Sequence, residues 1–515
     1  MMAGMRSEGT ATRLPGRIPA VAGLVAGLAG LAVSEALAAV LLGAPSLILA
    51  VGRAVIDLQP PGAKELVVAL FGTNDKLALE IAVILVALGA SVGLGVLALR
   101  RFGLAAAGFA AFGLLGFLAA LRDPSNIPTL AGLSAAISVA AAVQVLSWLI
   151  GTGRRAPPAM PDWSRRSFLV RSGVLAAASV AVGVGGRTYL ESQRVGAADA
   201  PVDLPVPGVK AMLPDGAELG VEGQTPIVVP NDTFYRIDTA LLIPRVNLET
   251  WRLRITGRVE REIELDFTEL TALPAVEQYV TIACVSNQVG GNLVGNAKWS
   301  GVRLRDVLAL AGVRPDASQL VGRSVDGWTA GMPTAWVLDP AREPMIAVAM
   351  NDEPLPAAHG FPARLIVPGL YGYVSATKWL KALELTTLEA FDAYWVPLGW
   401  AKEAPILTQS RIDVPRPGTS IPAGRIAVAG VAWAPDRGIS RVEVGIDGDW
   451  REAVLSTPIS EATWVQWRYD WDAGPGTYEV SVRATDGDGE VQTDRMTEPA
   501  PDGARGHHTV TLRIA

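Results

Sequence analysis

The chain has 515 residues, half of them hydrophobic, a net charge of −6, three histidines and one cysteine. Its length exceeds one ordinary domain, for which about 150 residues is a fair prior. The mildly acidic balance gives no electrostatic footprint for nucleic acid. A single thiol excludes an intramolecular disulfide, a multi-thiolate iron–sulfur cluster and a cysteine-based zinc site, and leaves the compartment open.

Residues 1 to about 190 are rich in Ala, Leu, Gly and Val with few charges. A spanning helix needs about 20 apolar residues, and 18–42, 77–99, 102–121 and 130–150 qualify. The shorter "APSLILAVGRAVIDL" (44–58) carries Arg53 and Asp57 and reads as interfacial or re-entrant. A fifth apolar run, 174–186, reaches spanning length if 168–170 are included. Arg6, Arg13 and Arg17 precede the first span, Arg100 and Arg101 separate the second and third, and Arg154, Arg155, Arg165 and Arg166 precede the fifth. With five crossings every basic cluster falls on one side, so the N-terminus is expected in the cytoplasm and everything after about Thr188 outside.

"SRRSFL" (164–169), ahead of a modest apolar stretch, resembles a twin-arginine translocation signal, here internal. The bland alternative is two more positive-inside arginines. Small residues in "GAADA" permit cleavage after it. No histidine lies in the spans, so bis-His haem ligation is excluded there. Glu35 and Glu80 are intramembrane acids, which invite a functional reading, although a place near a helix end explains them equally well. This first half (1–190) reads as a transmembrane α-helical bundle serving as an anchor and docking surface.

Residues 200–402 mix helix and strand. "WRLRITGRV" alternates like a half-buried strand, "REIELDFTEL" reads as a strand then a turn, and "VRLRDVLALAGV" is an amphipathic helix ended by Gly312. "PMIAVAM" and "ARLIVPG" are strand-like, and no GxGxxG follows a first strand, which argues against a doubly wound nucleotide fold. From 403 to 515, "GRIAVAGVAWA", "ISRVEVGID", "TWVQWRYDW", "GTYEVSVRATD" and "HHTVTLRIA" are short alternating strands between Gly/Asp/Pro turns, the pattern of an all-β immunoglobulin-like sandwich. His507 and His508 are adjacent in a strand and point to opposite faces, so they are poor partners for one metal.

Five stretches of the middle domain belong together: "PNDTFYRIDT", "TIACVSN", "GNAKWSGVRLRDVL", "AMNDEPLPAAHGFPARLIVPGLYG" and "SATKWL". Together they resemble the sulfite oxidase family of molybdopterin enzymes, from about residue 225 to the end. The C-terminal sandwich resembles that family's Mo-cofactor dimerisation domain, and so allows a homodimer. The resemblance implies an α+β domain binding Mo-molybdopterin, with Cys284 as the one protein ligand to molybdenum. A soft thiolate suits that metal when a pterin dithiolene supplies the other sulfurs. A buried structural cysteine is the plain alternative. By the same resemblance His359, Arg364, Ser375, Ala376, Thr377 and Lys378 hold pterin and phosphate, with either Thr377 or Lys378 at the matching turn position. Asn231, Asp232, Tyr235 and Arg236 form the other edge, with Ser324 a weaker match, and Arg236 also orients substrate. Trp299 and Trp379 are wall and packing.

The chain also departs from the family. "CVSNQVGG" stands where an arginine-bearing loop is expected, with Gln288 at the arginine's place, and Asp238 would repel an anion if it faced the site. Trp328 stands where a tyrosine over the metal is expected. The expected function is two-electron oxygen-atom transfer, nominally sulfite oxidase-like, on a small oxyanion. Alternatives are reduction of an S-oxide (methionine sulfoxide-type) or of nitrate, and a cofactor-free binding module. No haem b5 domain is recognised, so a separate cytochrome or membrane quinone is the implied electron partner. The expected location is a bacterial cell membrane, multi-pass, with the catalytic domains extracytoplasmic.

Overall fold

The computed structural model describes residues 17–41, 43–60, 70–71, 75–123, 126–154, 161–195, 202–418 and 420–515. Arg6, Arg13, Arg155 and the stretch 196–200 lie outside the described residues, as do the side chains of Arg17, Arg154 and Arg165. The chain divides into two compact units, Met1–Val195 with Thr239–Leu242, and Gly196–Asp238 with Ile243–Ala515.

In the first unit, sequence too apolar for solvated loops satisfies its backbone internally as helix. These helices are α1 (Arg17–Val40), α2 (Leu47–Asp57), α3 (Asp75–Ala98), α4 (Phe102–Ala120), α5 (Pro128–Arg154) and α6 (Pro161–Val195). Among the described residues, five stretches are long and apolar enough to cross a membrane: Ile18–Val40, Lys76–Ala98, Phe102–Ala120, Pro128–Gly151 and Arg166–Leu190. Small residues bring backbones together. A Cβ on Gly23 would lie 2.1 Å from the Ser91 carbonyl oxygen, and one on Gly95 2.2 Å from that of Pro19, so α1 and α3 meet with no room for side chains.

The 44–58 segment is helical as α2, whose 11 residues are too few to span. Ser46 caps it by accepting from Leu49 N–H at 3.3 Å and also donates to Glu35, while Arg53 pairs with Asp123 at 2.9 Å. Glu80 pairs with Arg187 at 2.9 Å. Both intramembrane acids thus have structural partners. The last helix begins well before its apolar run, so positions 165 and 166 fall within its first two turns.

The second unit combines an α+β domain with a sandwich. Its first ten strands are β1 (Leu253–Gly257), β2 (Ile263–Leu265), β3 (Ala275–Ala283), β4 (Val294–Arg303), β5 (Gln319–Ser324), β6 (Thr329–Pro333), β7 (Met345–Met350), β8 (Glu353–Pro354), β9 (Arg364–Ile366) and β10 (Leu380–Thr386). One sheet runs β2-β1-β10-β5-β6; the other runs β3-β4-β7-β8, with β9 on β7. "REIELDFTEL" ends in a helical turn, Phe267–Thr271, and not in the expected plain turn. Asp266 and Glu269 form a reciprocal capping box that satisfies its first donors.

The remaining strands are β11 (Gln409–Val414), β12 (Ser420–Ile421), β13 (Gly424–Trp433), β14 (Ile439–Ile446), β15 (Asp449–Glu452), β16 (Val454–Leu455), β17 (Val465–Ala473), β18 (Gly476–Asp486) and β19 (His508–Ile514). They form two facing sheets, β11-β13-β17-β16 and β12-β19-β18-β14-β15. The main core of the α+β domain continues into the sandwich through Val431, Trp433 and Trp464. Trp464 is fully buried and donates its indole N–H to the Ile227 carbonyl at 2.9 Å. Strand β3 is covered on its open edge, where Thr281 N–H donates to Ala462 and Glu277 N–H to Val209, both at 2.9 Å. Such cover protects an edge that would otherwise pair with another chain.

Candidate active site

Cys284 is the first residue past β3 in the β3–β4 hairpin, where Ala283 pairs with Val294. Its N–H donates to the Leu293 carbonyl at 2.9 Å, and Asn287 Oδ1 accepts Leu293 N–H at 2.8 Å. This closes the loop and leaves the thiol at the end of a rigid strand. The thiol is 2.9 Å from Ser286 Oγ, and the residue is buried. The backbone of Gly372 passes close behind, since a Cβ there would lie 3.6 Å from the Ala283 carbonyl oxygen.

Two phenols lie within electrostatic range of this sulfur. Burial, with the nearby Cys284 adding to it, pushes the Tyr235 hydroxyl far above its usual range, against the pull of Arg364. Burial also raises Tyr371, which Cys284, Arg505 and Asp502 influence as well. Tyr235 therefore joins two neighbourhoods, the sulfur on one side and a cation cluster on the other.

Its loop is fixed at Asn231. Asn231 Nδ2 donates to the Met350 carbonyl and to Glu353, both at 3.1 Å, and its Oδ1 accepts from Asn351 at 2.8 Å. His359 Nε2 lies 2.9 Å from the Asn231 carbonyl oxygen, an acceptor, so the ring donates. Burial first, then Arg364, lowers His359 to a pKa of about 4, so the ring is neutral. Phe234 packs between Tyr235, Trp299 and His359, at ring separations of 5.2, 6.0 and 5.7 Å.

Arg364 lies over Trp299, 4.8 Å from the ring centroid, and donates to the His359 carbonyl at 3.0 Å. Lys378 Nζ pairs with Asp238 at 2.7 Å and donates to the Ala358 carbonyl at 3.2 Å. Asp238 also accepts from Arg236 at 2.8 Å, while Arg236 remains half-exposed. The feared repulsion by Asp238 is thus compensated by two cations. Burial is the first cause that brings Lys378 down to about 8 and Arg364 to about 10.

Ser324 lies across from Leu380 in the β5–β10 ladder, and a Cβ on Gly322 would lie 2.4 Å from Thr377 Oγ1. Ser375 spends its hydroxyl on the carbonyls of Leu370 and Tyr371, at 3.2 and 3.0 Å, and Ala376 is buried beside it. Asp232 and Gln288 are exposed, and Trp328 is half-buried against the main core.

The buried atoms Arg364 Nε, Ser324 Oγ and Thr377 Oγ1 have no hydrogen-bond partner among the described residues. Buried polar groups are normally satisfied, and open donors beside buried cations suit an anion with many acceptors, such as phosphate. A soft sulfur in the same neighbourhood suits a metal whose other sulfurs come from its ligand. The residues present therefore fit a phosphate-bearing, sulfur-ligated metal cofactor.

Residues 240–395 match the family model described as "Oxidoreductase molybdopterin binding domain". The fold and site thus define a molybdopterin-binding oxidoreductase, and the cofactor implied is Mo-molybdopterin. Human mitochondrial sulfite oxidase is 29% identical over 350 residues, 58% of this chain and 64% of that protein. Nitrate reductase [NADH] 1 of Oryza sativa subsp. japonica is 29% identical over 318 residues, 49% of this chain and 35% of that one. The sulfane dehydrogenase SoxCD of Paracoccus pantotrophus shares the fold at a TM-score of 0.50 and 22% identity, over 62% of this chain and 94% of that one. The chain is thus similar, at about 29% identity, to sulfite oxidase family proteins, and it spans less than two thirds of the human relative.

Sequence reasoning passed over several residues. Tyr371 sat inside a quoted stretch, but only the fold brings it within electrostatic range of Cys284. Asn351, with φ +52°, bridges Val229, Asn231 and Lys298 at 2.8–3.0 Å. Its "ND" dipeptide, a common turn pair, was the signal available.

Proposed function

We propose that this chain is a membrane-anchored molybdopterin oxidoreductase that transfers an oxygen atom with two electrons, on a small oxyanion and nominally as a sulfite oxidase does. The observation that carries this is the set of buried polar atoms Arg364 Nε, Ser324 Oγ and Thr377 Oγ1, without partners among the described residues, in the same domain as the buried Cys284 thiol. When bound, the cofactor supplies a metal that exchanges two electrons and an oxygen atom with substrate.

The chain's residues have distinct roles in this reading. Cys284 is the protein's sulfur ligand. Arg364, Thr377, Ser324 and Lys378 take the cofactor's phosphate and polar edge with donors already paid for by burial. His359, neutral, and Asn231 hold the opposite rim, and Tyr235 closes it. Ser375 and Ala376 shape the turn, and Asp232 lies at the exposed end of the 231–236 loop. Half-exposed Arg236 orients the substrate. Electrons leave one at a time to a separate cytochrome or quinone. The basic residues around the spans support an extracytoplasmic catalytic unit in a bacterial membrane, and the twin-arginine-like motif supports export after folding. The sandwich supports a homodimer.

One observation favours a second reading. Exposed Gln288 stands where a family arginine is expected, so the pocket is less cationic, which suits an uncharged S-oxide better than sulfite or nitrate. Oxidation and reduction assays of the molybdenum-loaded protein with sulfite, nitrate and methionine sulfoxide decide the substrate. Turnover of sulfite alone supports the first reading, turnover of the S-oxide alone supports the second, and turnover of none contradicts both.

A further inference from the structure

We propose that the C-terminal sandwich positions the Cys284 loop, through Arg411 on β11 and His508 at the start of β19. The loop's two glycines are where it is held. Arg411 Nη1 donates to the Gly291 carbonyl at 2.8 Å. Gly290, with φ +75°, lies under the His508 ring, and a Cβ there would come within 2.3 Å of it. A Cβ on Gly291 would lie 2.5 Å from Asn287 Oδ1, the atom that fixes Leu293 and through it Cys284. "VGG" thus answers to close approach from a neighbouring domain as well as to turn geometry.

Both clamping groups are themselves fixed. Arg411 is buried; its Nε donates to Asp413 at 2.7 Å and its Nη2 to Thr225 Oγ1 at 2.8 Å, while Asp413 accepts Thr225 N–H at 3.0 Å. His508 Nδ1 accepts Ile412 N–H at 3.0 Å, so the ring is neutral and its orientation set. Burial and Arg411 oppose its protonation. Val289, next to the clamped glycines, lines a cavity of about 390 Å³ with Met496, His507 and His508, which gives the loop room to shift if the clamp opens. The bonds from Gly291 back to Leu293 and Cys284 carry the restraint to the sulfur.

The functional consequence rests on Cys284 being the metal's ligand, but the restraint is readable without cofactor. Cys284 is the sole thiol, so alkylation of the cofactor-free full chain in detergent by iodoacetamide at fixed pH reports on it alone. Arg411→Gln is expected to alkylate about ten-fold faster than wild type, because local opening sets access to a buried thiol. Arg411→Lys, which retains one donor toward Gly291, should return the rate toward wild type. Gly290→Ala tests the same clamp without touching the buried ion pair and should accelerate labelling too. Near-UV circular dichroism of the tryptophans establishes that each variant is folded. In the loaded protein the same variants should alter the Mo(V) electron paramagnetic resonance spectrum. Wild-type labelling rates in folded Gly290→Ala, and in Arg411→Gln if it folds, overturn the proposal. Absence of molybdenum from wild type would instead overturn the function proposed above and leave the labelling result intact.

Discussion

Lys378 Nζ and Asp238 Oδ2 lie 2.7 Å apart, with side chains only 10% and 4% exposed. A buried pair of this kind is costly to break from one side, because the survivor keeps its charge without its partner. Lys378 can limit that cost by releasing its proton. Asp238→Asn is therefore expected to destabilise the cofactor-free chain by about 1–3 kcal/mol at pH 7, read by urea denaturation. The loss should be smaller at pH 9, above the Lys378 value of about 8, where wild type has already lost most of the attraction.

His359 gives a separate acid signature. Its folded pKa of about 4 lies below the ordinary 6.5, so between these values the unfolded chain binds the proton that the folded chain does not. Stability therefore falls as pH drops from 6.5 toward 4, by on the order of 3 kcal/mol from this group. His359→Asn removes that component. The stability difference between variant and wild type should shift in the variant's favour between pH 7 and pH 4.5, and a difference independent of pH would refute the assignment.

Trp464 joins the α+β domain to the sandwich. Replacing this fully buried side chain with alanine should cost about 3–5 kcal/mol. Trp464→Phe, which keeps most of the volume and leaves the Ile227 carbonyl still accepting from Asn296 Nδ2 at 2.8 Å, should cost less. Denaturation followed by both tryptophan spectroscopy and protease sensitivity checks the order.

Orientation is testable by fusion. A reporter enzyme active only outside the cytoplasm, attached after Ala515, should be active, and one attached in the Arg100–Arg101 turn should be silent. The reverse pattern would invert the topology drawn from the arginines.

Much of this architecture was legible in the sequence because its signals are local. Spans such as 102–121 declare themselves by length and apolarity, and the sandwich by alternation, as in "GTYEVSVRATD" and β18. The helix start at Pro161 was not legible, because a polar first turn has no apolar periodicity to mark it. The helical turn at 267–271 was missed although its Asp-x-x-Glu capping box was present in the letters. In the site, Cys284, Arg364 and Lys378 stood out by residue type and motif. Asp238 as the partner of Lys378 and Arg411 on the Gly291 carbonyl span long sequence separations, and only the fold brings each pair together. The same holds for His508, which looked unremarkable in a strand until its ring was found against Gly290.

The central claim, that this site holds a molybdenum cofactor through Cys284, is tested most directly by metal and pterin content. Purified wild type should contain stoichiometric molybdenum and release a fluorescent pterin on denaturation. Cys284→Ser should remain folded, lose turnover and lose the sulfur-to-metal signature from its optical spectrum. Wild-type protein free of both molybdenum and pterin, or a Cys284→Ser variant with undiminished turnover, would contradict the account.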